Sequence, residues 1–278
     1  MNTLAFSATI AAASFCAGFL GSLTGLGGGV VVVPLLTLAF GADIHYAIGA
    51  SLVSVIATSS GAAAAYVKEG FSNLRIGMFL EIATVSGALV GATLVSLLPK
   101  GVIMVVFGLV LIQSAYLASR PRPEHFTANL PPDPLATRLR FDSTYPTVEG
   151  EQPYHVRRVP GGFALMAVAG VLSGLLGIGS GAVKVLAMDQ LMLMPFKVST
   201  ATSNFMIGVT AAASAGIYLH NGYVDPSLAM PVMLGVLAGS MVGARLLFRA
   251  PTAKLRILFA VVIVALAVEM IYSGLAGR

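Results

Sequence analysis

Long apolar stretches separated by short polar connections dominate the chain. Helix is the structure they predict, because backbone N–H and C=O groups in lipid must be satisfied within the same segment. The longer stretches approach the ~20 residues that an α-helix needs to cross a hydrocarbon core of about 30 Å. We therefore expect an all-α integral membrane protein embedded in the lipid bilayer. The apolar stretches are 4–24, 30–40, 45–66, 72–97, 101–119, 162–176, 182–193, 198–219, 227–248 and 253–275.

Composition excludes a soluble domain. Hydrophobic residues make up 57% of the 278 residues and charged residues 10%, whereas soluble domains are about 25% charged. The net charge of +5 is therefore expected to sit in loops and set membrane orientation. No Lys/Arg-rich run is interleaved with aromatics, so a nucleic-acid partner is not expected. Cys16 lies in an apolar segment without an internal partner, and we interpret it as a packing residue.

An internal repeat organises the sequence. Shifting the chain by 152 residues aligns the two halves without a gap. We expect membrane repeats at 1–119 and 161–278, joined by a proline- and arginine-rich, solvent-exposed linker at 120–160. Transporters commonly carry such repeats, with the substrate site between them. The matched pairs are Gly18 with Gly170, Gly25 with Gly177, Gly27 with Gly179, Gly29 with Gly181, Ser51 with Ser203, Tyr66 with Tyr218, Gly70 with Gly222, Gly87 with Gly239, Gly91 with Gly243 and Phe107 with Phe259.

The positive charges favour inverted halves. If each glycine cluster turns the chain back, as a hairpin or a broken helix, each half crosses the membrane an odd number of times. Only Lys100 and Arg278 then oppose the other loop cations, which is a clear positive-inside pattern. This arrangement predicts two inverted repeats in a plasma (inner) membrane, a cytoplasmic linker and both termini outside. The cations on the linker side would be Lys68, Arg75, Lys197, Arg245, Arg249, Lys254, Arg256 and the linker arginines.

Two glycine clusters at matched positions are the first candidates for a site. Glycine at this density is expected to interrupt a helix. Unwound backbone at membrane depth is tolerated where it is buried in protein or lines a cavity, and its free N–H groups can bind an anion. The alternative is that the glycines only allow close packing. The candidate residues are Gly27, Gly28 and Gly29 in the first cluster, and Gly179, Ser180 and Gly181 in the second.

Lys184 is the second candidate, because a charge in a membrane segment is expensive and is a functional candidate by default. Its repeat mate is the apolar Val32. We expect Lys184 to supply positive charge for a substrate anion. The alternative is a structural lysine that reaches the interface or pairs with Asp189, Glu81 or Glu269.

Hydroxyl and amide groups follow each cluster. Thr202, Ser203 and Asn204 align with Ala50, Ser51 and Leu52. Such side chains can donate hydrogen bonds to the oxygens of an anion without carrying a fixed charge. The alternative is ordinary hydrogen bonding between helices.

Three carboxylates fall in membrane segments, namely Glu81, Asp189 and Glu269. Each is a candidate for relaying a proton that couples transport to a gradient. Pairing with a basic group is the alternative for each of them. Their repeat mates are not acidic, so any coupling would be asymmetric.

Motifs for other chemistry are missing from the sequence. It holds no Walker motif, dinucleotide fingerprint or HExxH, so we expect no cofactor, no metal site and no enzymatic activity. The few membrane histidines and cysteines argue against metal-cation uptake. An anion channel and an intramembrane enzyme remain the alternatives to a permease.

The duplicated motifs resemble the TauE/SafE family of sulfite and organosulfur-anion permeases. They are Gly21-Ser-Leu-Thr-Gly-Leu-Gly-Gly-Gly29 with Ala47-Ile-Gly-Ala-Ser51, and Ser173-Gly-Leu-Leu-Gly-Ile-Gly-Ser-Gly181 with Val198-Ser-Thr-Ala-Thr-Ser203. The resemblance covers both membrane halves but not the linker. It implies a multi-pass permease for sulfite, a sulfonate or a related small anion. The chain departs from the family pattern at Ser180, Lys184 and Asn204, all within the proposed site. Transport is expected to follow alternating access between the halves.

Overall fold

The computed structural model describes residues 3–24, 29–68, 70–119, 133–147, 150–247 and 252–277. These residues are overwhelmingly helical, so the prediction of an all-α membrane protein is confirmed. In chain order the elements are α1 (Thr3–Thr24), α2 (Gly29–Pro34), α3 (Ile44–Lys68), α4 (Leu74–Leu94), α5 (Lys100–Ser119), α6 (Pro134–Arg138), β1 (Ser143–Thr147), β2 (Gly150–Tyr154), α7 (Val159–Leu176), α8 (Gly181–Leu186), α9 (Phe196–His220), α10 (Pro226–Leu247) and α11 (Thr252–Leu275).

Several of these helices have the length and composition of membrane spans. Within the described ranges, the stretches that qualify are Leu74–Leu94, Lys100–Leu117, Val159–Leu176 and Pro226–Gly243. Shorter apolar stretches lie at Ala5–Gly21, Gly29–Ala39, Ile44–Ser60 and Ala260–Leu275. Large apolar side chains such as Ile82, Val261 and Val268 are exposed on helix surfaces, as expected of residues that face lipid.

The sequence repeat is also a repeat of secondary structure. Helices α2 and α8 begin and end 152 residues apart, as do α3 and α9. Helices α10 and α11 start at the same offset from α4 and α5. Even the helix N-caps match. The Asn73 side chain accepts a hydrogen bond from the Ile76 N–H before α4, and the Asp225 side chain accepts one from the Ser227 N–H before α10.

Each glycine cluster is followed by a short α-helix that ends in a π-helical turn. Helix α2 continues into a π-helical turn at Leu35–Ala39, and α8 continues into a π-helical turn at Ala187–Leu191. At about 1.5 Å per residue, each combined segment is roughly half the thickness of a hydrocarbon core. These segments therefore extend only part of the way across a membrane of ordinary thickness.

Helices of each half pack against helices of the other half. Helix α1 packs against α10 of the other half, and its repeat mate α7 packs against α4. Small residues make this possible. A Cβ atom on Gly18 would lie 2.3 Å from the carbonyl oxygen of Val236, and one on Gly170 would lie 2.2 Å from that of Thr84. Backbone therefore packs directly on backbone at matched positions of both helix pairs.

The glycine contacts also give helix directions. Along α4 and α7, Gly170 meets Thr84 and Gly174 meets Ala88, so these two helices run in the same direction. The matched pair behaves in the same way. Along α1 and α10, Gly235 meets Ala11 and Gly239 meets Phe15.

Helices α5 and α11 are repeat mates that pack on each other, and they run in opposite directions. Gly101 near the start of α5 meets Gly274 at the end of α11. Further along α5, Gly108 meets Ala267, which precedes Gly274 in α11. This direction bears on how the two halves are related.

Part of the linker is folded, a feature that its sequence does not predict. We name the described residues 133–147 and 150–158 the linker cap. Its strands β1 and β2 pair antiparallel. Phe141, Tyr154 and Val156 are buried with Ile76 of α4 in one apolar cluster, together with Met188, Met192 and Met194. Isolated aromatic residues therefore anchor the cap on the membrane helices without any apolar periodicity.

Hydrogen bonds join the linker cap to the helices. The Asn73 amide donates to the Phe141 carbonyl at 2.9 Å and to the Tyr154 hydroxyl at 2.8 Å. The Arg157 N–H donates to the Met192 carbonyl, just beyond the second π-helical turn. Burial raises the pKa of Tyr154 to about 12, so its hydroxyl stays protonated at neutral pH. The cap thus holds one end of α4 and the end of the second broken segment.

Candidate functional site

The second glycine cluster forms a break between α7 and α8 that is lined by backbone donors. Gly177, Gly179 and Ser180 all have left-handed backbone, with φ of 66°, 72° and 46°. Glycine adopts this conformation without strain, and Ser180 adopts it at some cost. The N–H groups from Ile178 to Ala182 donate no hydrogen bond to a described residue. Consecutive N–H groups without partners can form an anion-binding concavity.

Ser180 adds a side-chain hydroxyl to these backbone donors. The residue is 3% exposed, and its Oγ has no hydrogen-bond partner in the described part of the chain. Its hydroxyl lines a small cavity of about 10 Å³, which is about the space that one water-sized group needs. The other lining residues are Val30, Val110, Ser114, Ile178, Gly181, Ala182 and Val183. A buried polar atom without a partner costs free energy. The Ser180 hydroxyl is therefore a candidate to bind a polar ligand.

The two predicted serines lie against the glycine clusters from α3 and α9. The Ser51 hydroxyl donates to the Gly177 carbonyl at 2.9 Å and lies 3.4 Å from the Gly29 carbonyl. Its repeat mate Ser203 lies 3.5 Å from the Gly181 carbonyl. Both serines are buried. Ser51 therefore contacts the broken segments of both halves at the point where they meet.

A larger residue in place of Gly29 would crowd this meeting point. A Cβ on Gly29 would lie 2.8 Å from the Ser51 Oγ and 2.6 Å from a methyl carbon of Val55. Gly27 and Gly28 lie outside the described residues.

Lys184 is fully buried and belongs to a hydrogen-bonded chain. Its Nζ donates to the Thr210 Oγ1 at 2.5 Å, and the Thr210 hydroxyl lies 2.5 Å from Oε1 of Glu81. The Thr84 hydroxyl donates to the other carboxylate oxygen of Glu81 at 2.9 Å. Glu81 and Thr84 are on α4, Thr210 is on α9 and Lys184 is on α8. Of the three acids considered as partners for Lys184, the one connected to it is Glu81, through Thr210.

Of the remaining candidates, Thr202 and Asp189 bond to residues outside the break. The Thr202 hydroxyl accepts a hydrogen bond from the Asn73 N–H at 3.1 Å, towards the linker cap. Asn204 is half-buried beside Ser203. Asp189 is buried in the second π-helical turn, where its Oδ2 accepts a hydrogen bond from the Gln190 amide at 2.7 Å. Glu269 is exposed on α11.

Sequence reasoning missed Thr210, Thr84 and Ser114. Serine and threonine are common in membrane helices, where they usually bond to their own backbone; Thr210 does this too, with the Met206 carbonyl at 2.8 Å. The available signal was Lys184 itself, because a buried ammonium requires polar partners. Ser114 carried no comparable signal, and its repeat mate is Leu266.

A second polar cluster lies at the far end of the helices from the linker cap. Asp43, in the loop before α3, contacts the Lys100 ammonium and accepts a hydrogen bond from the His45 ring at 2.7 Å. The His45 ring stacks on Tyr223, with centroids 4.8 Å apart. Burial of the Asp43 carboxyl raises its pKa, but the hydrogen bonds from Lys100 and His45 outweigh this and lower the pKa to about 2. The cluster ties the start of α3 to α5 and to the loop between α9 and α10.

In the part of the chain that the structure describes, no three or more His, Cys, Asp or Glu side chains cluster as metal ligands would.

Comparison with known proteins identifies the family. A family profile described as "Sulfite exporter TauE/SafE" matches residues 10–270. A relative from Bacillus subtilis, "Probable membrane transporter protein YunE", is 30% identical over 93% of this chain and 95% of its own length. A second B. subtilis relative, "Probable membrane transporter protein YdhB", is 29% identical over 83% of this chain and 86% of its own. A "Probable membrane transporter protein MJ0441" of Methanocaldococcus jannaschii is 26% identical over 88% and 87%.

No solved structure matches the chain. The family and the relatives' names describe membrane transporters and not enzymes. The motif-based resemblance is thereby confirmed, and the protein is a multi-pass membrane transporter that belongs to the sulfite exporter TauE/SafE family.

Proposed function

We propose that this transporter is a permease that moves a small oxyanion, sulfite or an organosulfonate, through a site at the glycine clusters. One observation carries the proposal. In the described part of the chain, the N–H groups of Ile178 to Ala182 donate to no residue, and the Ser180 hydroxyl in the same break has no partner. The backbone N–H groups can only donate and the hydroxyl can add one more donor, which favours an anion over a cation.

The rest of the proposed site surrounds this break. The hydroxyls of Ser51 and Ser203 lie against the glycine clusters from both halves, and Asn204 follows Ser203. Lys184 supplies positive charge three residues after Gly181. We assign Gly27, Gly28 and Gly29 the equivalent backbone role in the first half, and Thr202 a supporting position beside Ser203. The family's description, which names sulfite, supports this substrate class.

The two halves are proposed to be inverted repeats. Mates related by a two-fold axis along the membrane normal run in the same direction, whereas mates related by an axis in the membrane plane run in opposite directions. The opposed directions of the mates α5 and α11 support the second case. The parallel pairs α4 with α7 and α1 with α10 are compatible with it. Short connections between neighbouring helices then require that α2 turns back after α1, and α8 after α7. Substrate would cross by alternating access as one half moves against the other.

Orientation follows from the loop charges. With inverted halves, the linker cap and most cations lie on one side, which we assign to the cytoplasm of a plasma membrane. The cluster of Asp43, His45 and Lys100 then lies outside, with both termini.

Anion flux into proteoliposomes tests the proposal. Sulfite, sulfate, thiosulfate, taurine and acetate are compared, with and without a pH gradient. We expect saturable flux of a sulfur oxyanion or sulfonate. Ser51→Ala should raise its KM on the order of tenfold, since a hydrogen bond at the meeting point is lost.

Ser54→Ala is the matched control, because Ser54 is equally buried on α3 but donates to the Ser51 carbonyl of its own helix. Its KM should stay near that of the wild type. Flux of none of these anions contradicts the substrate proposal. Wild-type transport of every anion by Lys184→Ala contradicts the role of Lys184.

A further inference from the structure

The repeat does not duplicate the hydrogen-bonded chain from Lys184 through Thr210 to Glu81. The mates of Lys184, Thr210 and Glu81 are Val32, Thr58 and Met233. Among the described residues, the Thr58 hydroxyl bonds within its own helix, to the Ser54 carbonyl at 3.0 Å and the Val55 carbonyl at 3.2 Å. The two charges come from different halves, Glu81 from the first and Lys184 from the second, and each has an apolar mate.

The two charges at the ends of this hydrogen-bonded chain, on Lys184 and Glu81, cancel each other. Glu81 is 5% exposed and Lys184 is fully buried, and both project from elements that meet inside the protein. A buried carboxylate and a buried ammonium bridged by a hydroxyl are together neutral, which is the condition under which buried charges are tolerated. Neither group is in direct ion-pair contact with the other, so the Thr210 hydroxyl links them.

A substrate anion would upset this balance. Lys184 lies three residues beyond Gly181 in α8, so an anion held at the break would be about one helical turn from the Lys184 backbone. Anion, carboxylate and ammonium together carry one net negative charge in a medium that solvates charge poorly. Neutrality returns if the carboxylate of Glu81 takes up a proton as the anion arrives.

We propose that Glu81 is the proton carrier of this permease and takes up one proton for each monovalent anion bound beside Lys184. This inference rests on the proposed anion site and adds its coupling. The proton comes from the water on the side to which the site is open, bonds to a Glu81 oxygen, and leaves to water when the anion is released. No other bond forms or breaks. Thr210 is a positioning residue that holds Glu81 and Lys184 in register.

Other charged groups on the surrounding elements lie elsewhere. Helix α7 carries no charged residue. Arg75 lies in the first turn of α4 and donates to the Arg140 carbonyl of the linker cap. Lys197 and His220 lie in the first and last turns of α9. Asp189 lies in the second π-helical turn, bonded to Gln190. Glu81 is therefore the carboxylate connected to Lys184.

Proton uptake on anion binding tests the inference. Purified full-length protein in detergent is titrated with ethanesulfonate, a sulfonate that does not itself titrate near neutrality, in weakly buffered solution with a pH-sensitive dye. Binding is measured in parallel by calorimetry. We expect the wild type to take up about one proton per bound anion. Glu81→Gln should bind the anion while proton uptake falls on the order of tenfold or more.

Two further variants test whether the Glu81 carboxylate itself takes up the proton. Glu81→Asp keeps a carboxylate and should restore proton uptake, which a merely structural role would not predict. Glu269→Gln is the matched control, because Glu269 is an exposed carboxylate of α11, and its uptake should equal that of the wild type.

The outcomes separate the two proposals. A wild type that binds ethanesulfonate without taking up a proton overturns the inference and leaves the anion site standing. Undiminished uptake by a folded Glu81→Gln variant overturns it as well. A wild type that binds no anion contradicts the anion site and this inference together.

Discussion

Single polar residues join several helices at the two ends and at the centre of this protein. Asp43 is the example at the end away from the linker cap. It brings together Lys100 from α5 and His45 from α3, and through the stacked His45 ring it reaches Tyr223 of the loop after α9. One carboxylate thus joins segments of both halves, although each contact alone is a surface interaction of modest strength.

The low pKa of Asp43 makes a prediction about stability. A carboxyl whose folded-state pKa of about 2 lies below its ordinary 3.8 stabilises the fold above the ordinary value. That contribution is lost as the pH falls from about 4 towards 2. Asp43→Asn should therefore lower the thermal midpoint in detergent at pH 7, and the difference from the wild type should vanish near pH 2. Equal midpoints at pH 7 would show that the cluster contributes nothing to stability.

Which site residues could be predicted depends on whether sequence marks them. Ser51 and Ser203 were marked by their matched positions in the repeat, and Lys184 by its charge in an apolar segment. Thr210 was not marked, because a threonine that bonds its own helix looks the same in sequence as one that bridges two charges. Thr202 was grouped with Ser203 by adjacency, but neighbouring residues on a helix point about 100° apart, and Thr202 bonds to Asn73 instead.

At the scale of helices, glycine sets how closely elements approach. The α4–α7 and α1–α10 pairs bring backbone against backbone at Gly170 and Gly18. Without a hydrophobic force between helices in lipid, this close packing is a main source of association. Loss of the small residue is therefore expected to weaken the pair directly.

Gly170→Ala should destabilise the protein by about 1–3 kcal/mol, because the added Cβ would overlap the Thr84 backbone. Thermal unfolding in detergent measures the change. Gly216→Ala is the matched control, since nothing lies within 4 Å of a Cβ at this exposed position of α9. It should be neutral or slightly stabilising. Equal effects of the two substitutions would contradict the packing account.

The repeat predicted the order of the helices well, because matched sequences fold into matched elements. The π-helical turns were not predictable from it, since the segments around them read simply as apolar. The linker cap was missed for a different reason. Its core consists of single residues such as Phe141 and Tyr154, whose partners are supplied by distant α4 and by the methionines before α9. Periodicity within the linker could not reveal contacts made outside it.

At the scale of the whole molecule, an inverted arrangement makes a prediction about sidedness. In a Cys16→Ser background, Thr144→Cys lies in the exposed strand β1 of the linker cap, and Asn221→Cys lies in the exposed turn after α9. A membrane-impermeant thiol reagent applied to intact cells should label only Asn221→Cys, because the linker cap is expected in the cytoplasm. Permeabilised cells should label both variants.

Labelling of both sites in intact cells, or of Thr144→Cys alone, would contradict this orientation. The first result would place both loops on one side and remove the inverted arrangement. The second would reverse it.

The exchange of packing partners between halves has a consequence for biosynthesis. Helix α1 is synthesised well before α10, yet its glycine face packs on that helix. During synthesis that face must therefore be covered by lipid or by the insertion machinery until α10 arrives. Helix α4 is likewise synthesised before its partner α7. The first half therefore depends on the second half for its packing. The fold is complete only after α7 and α10 have been inserted.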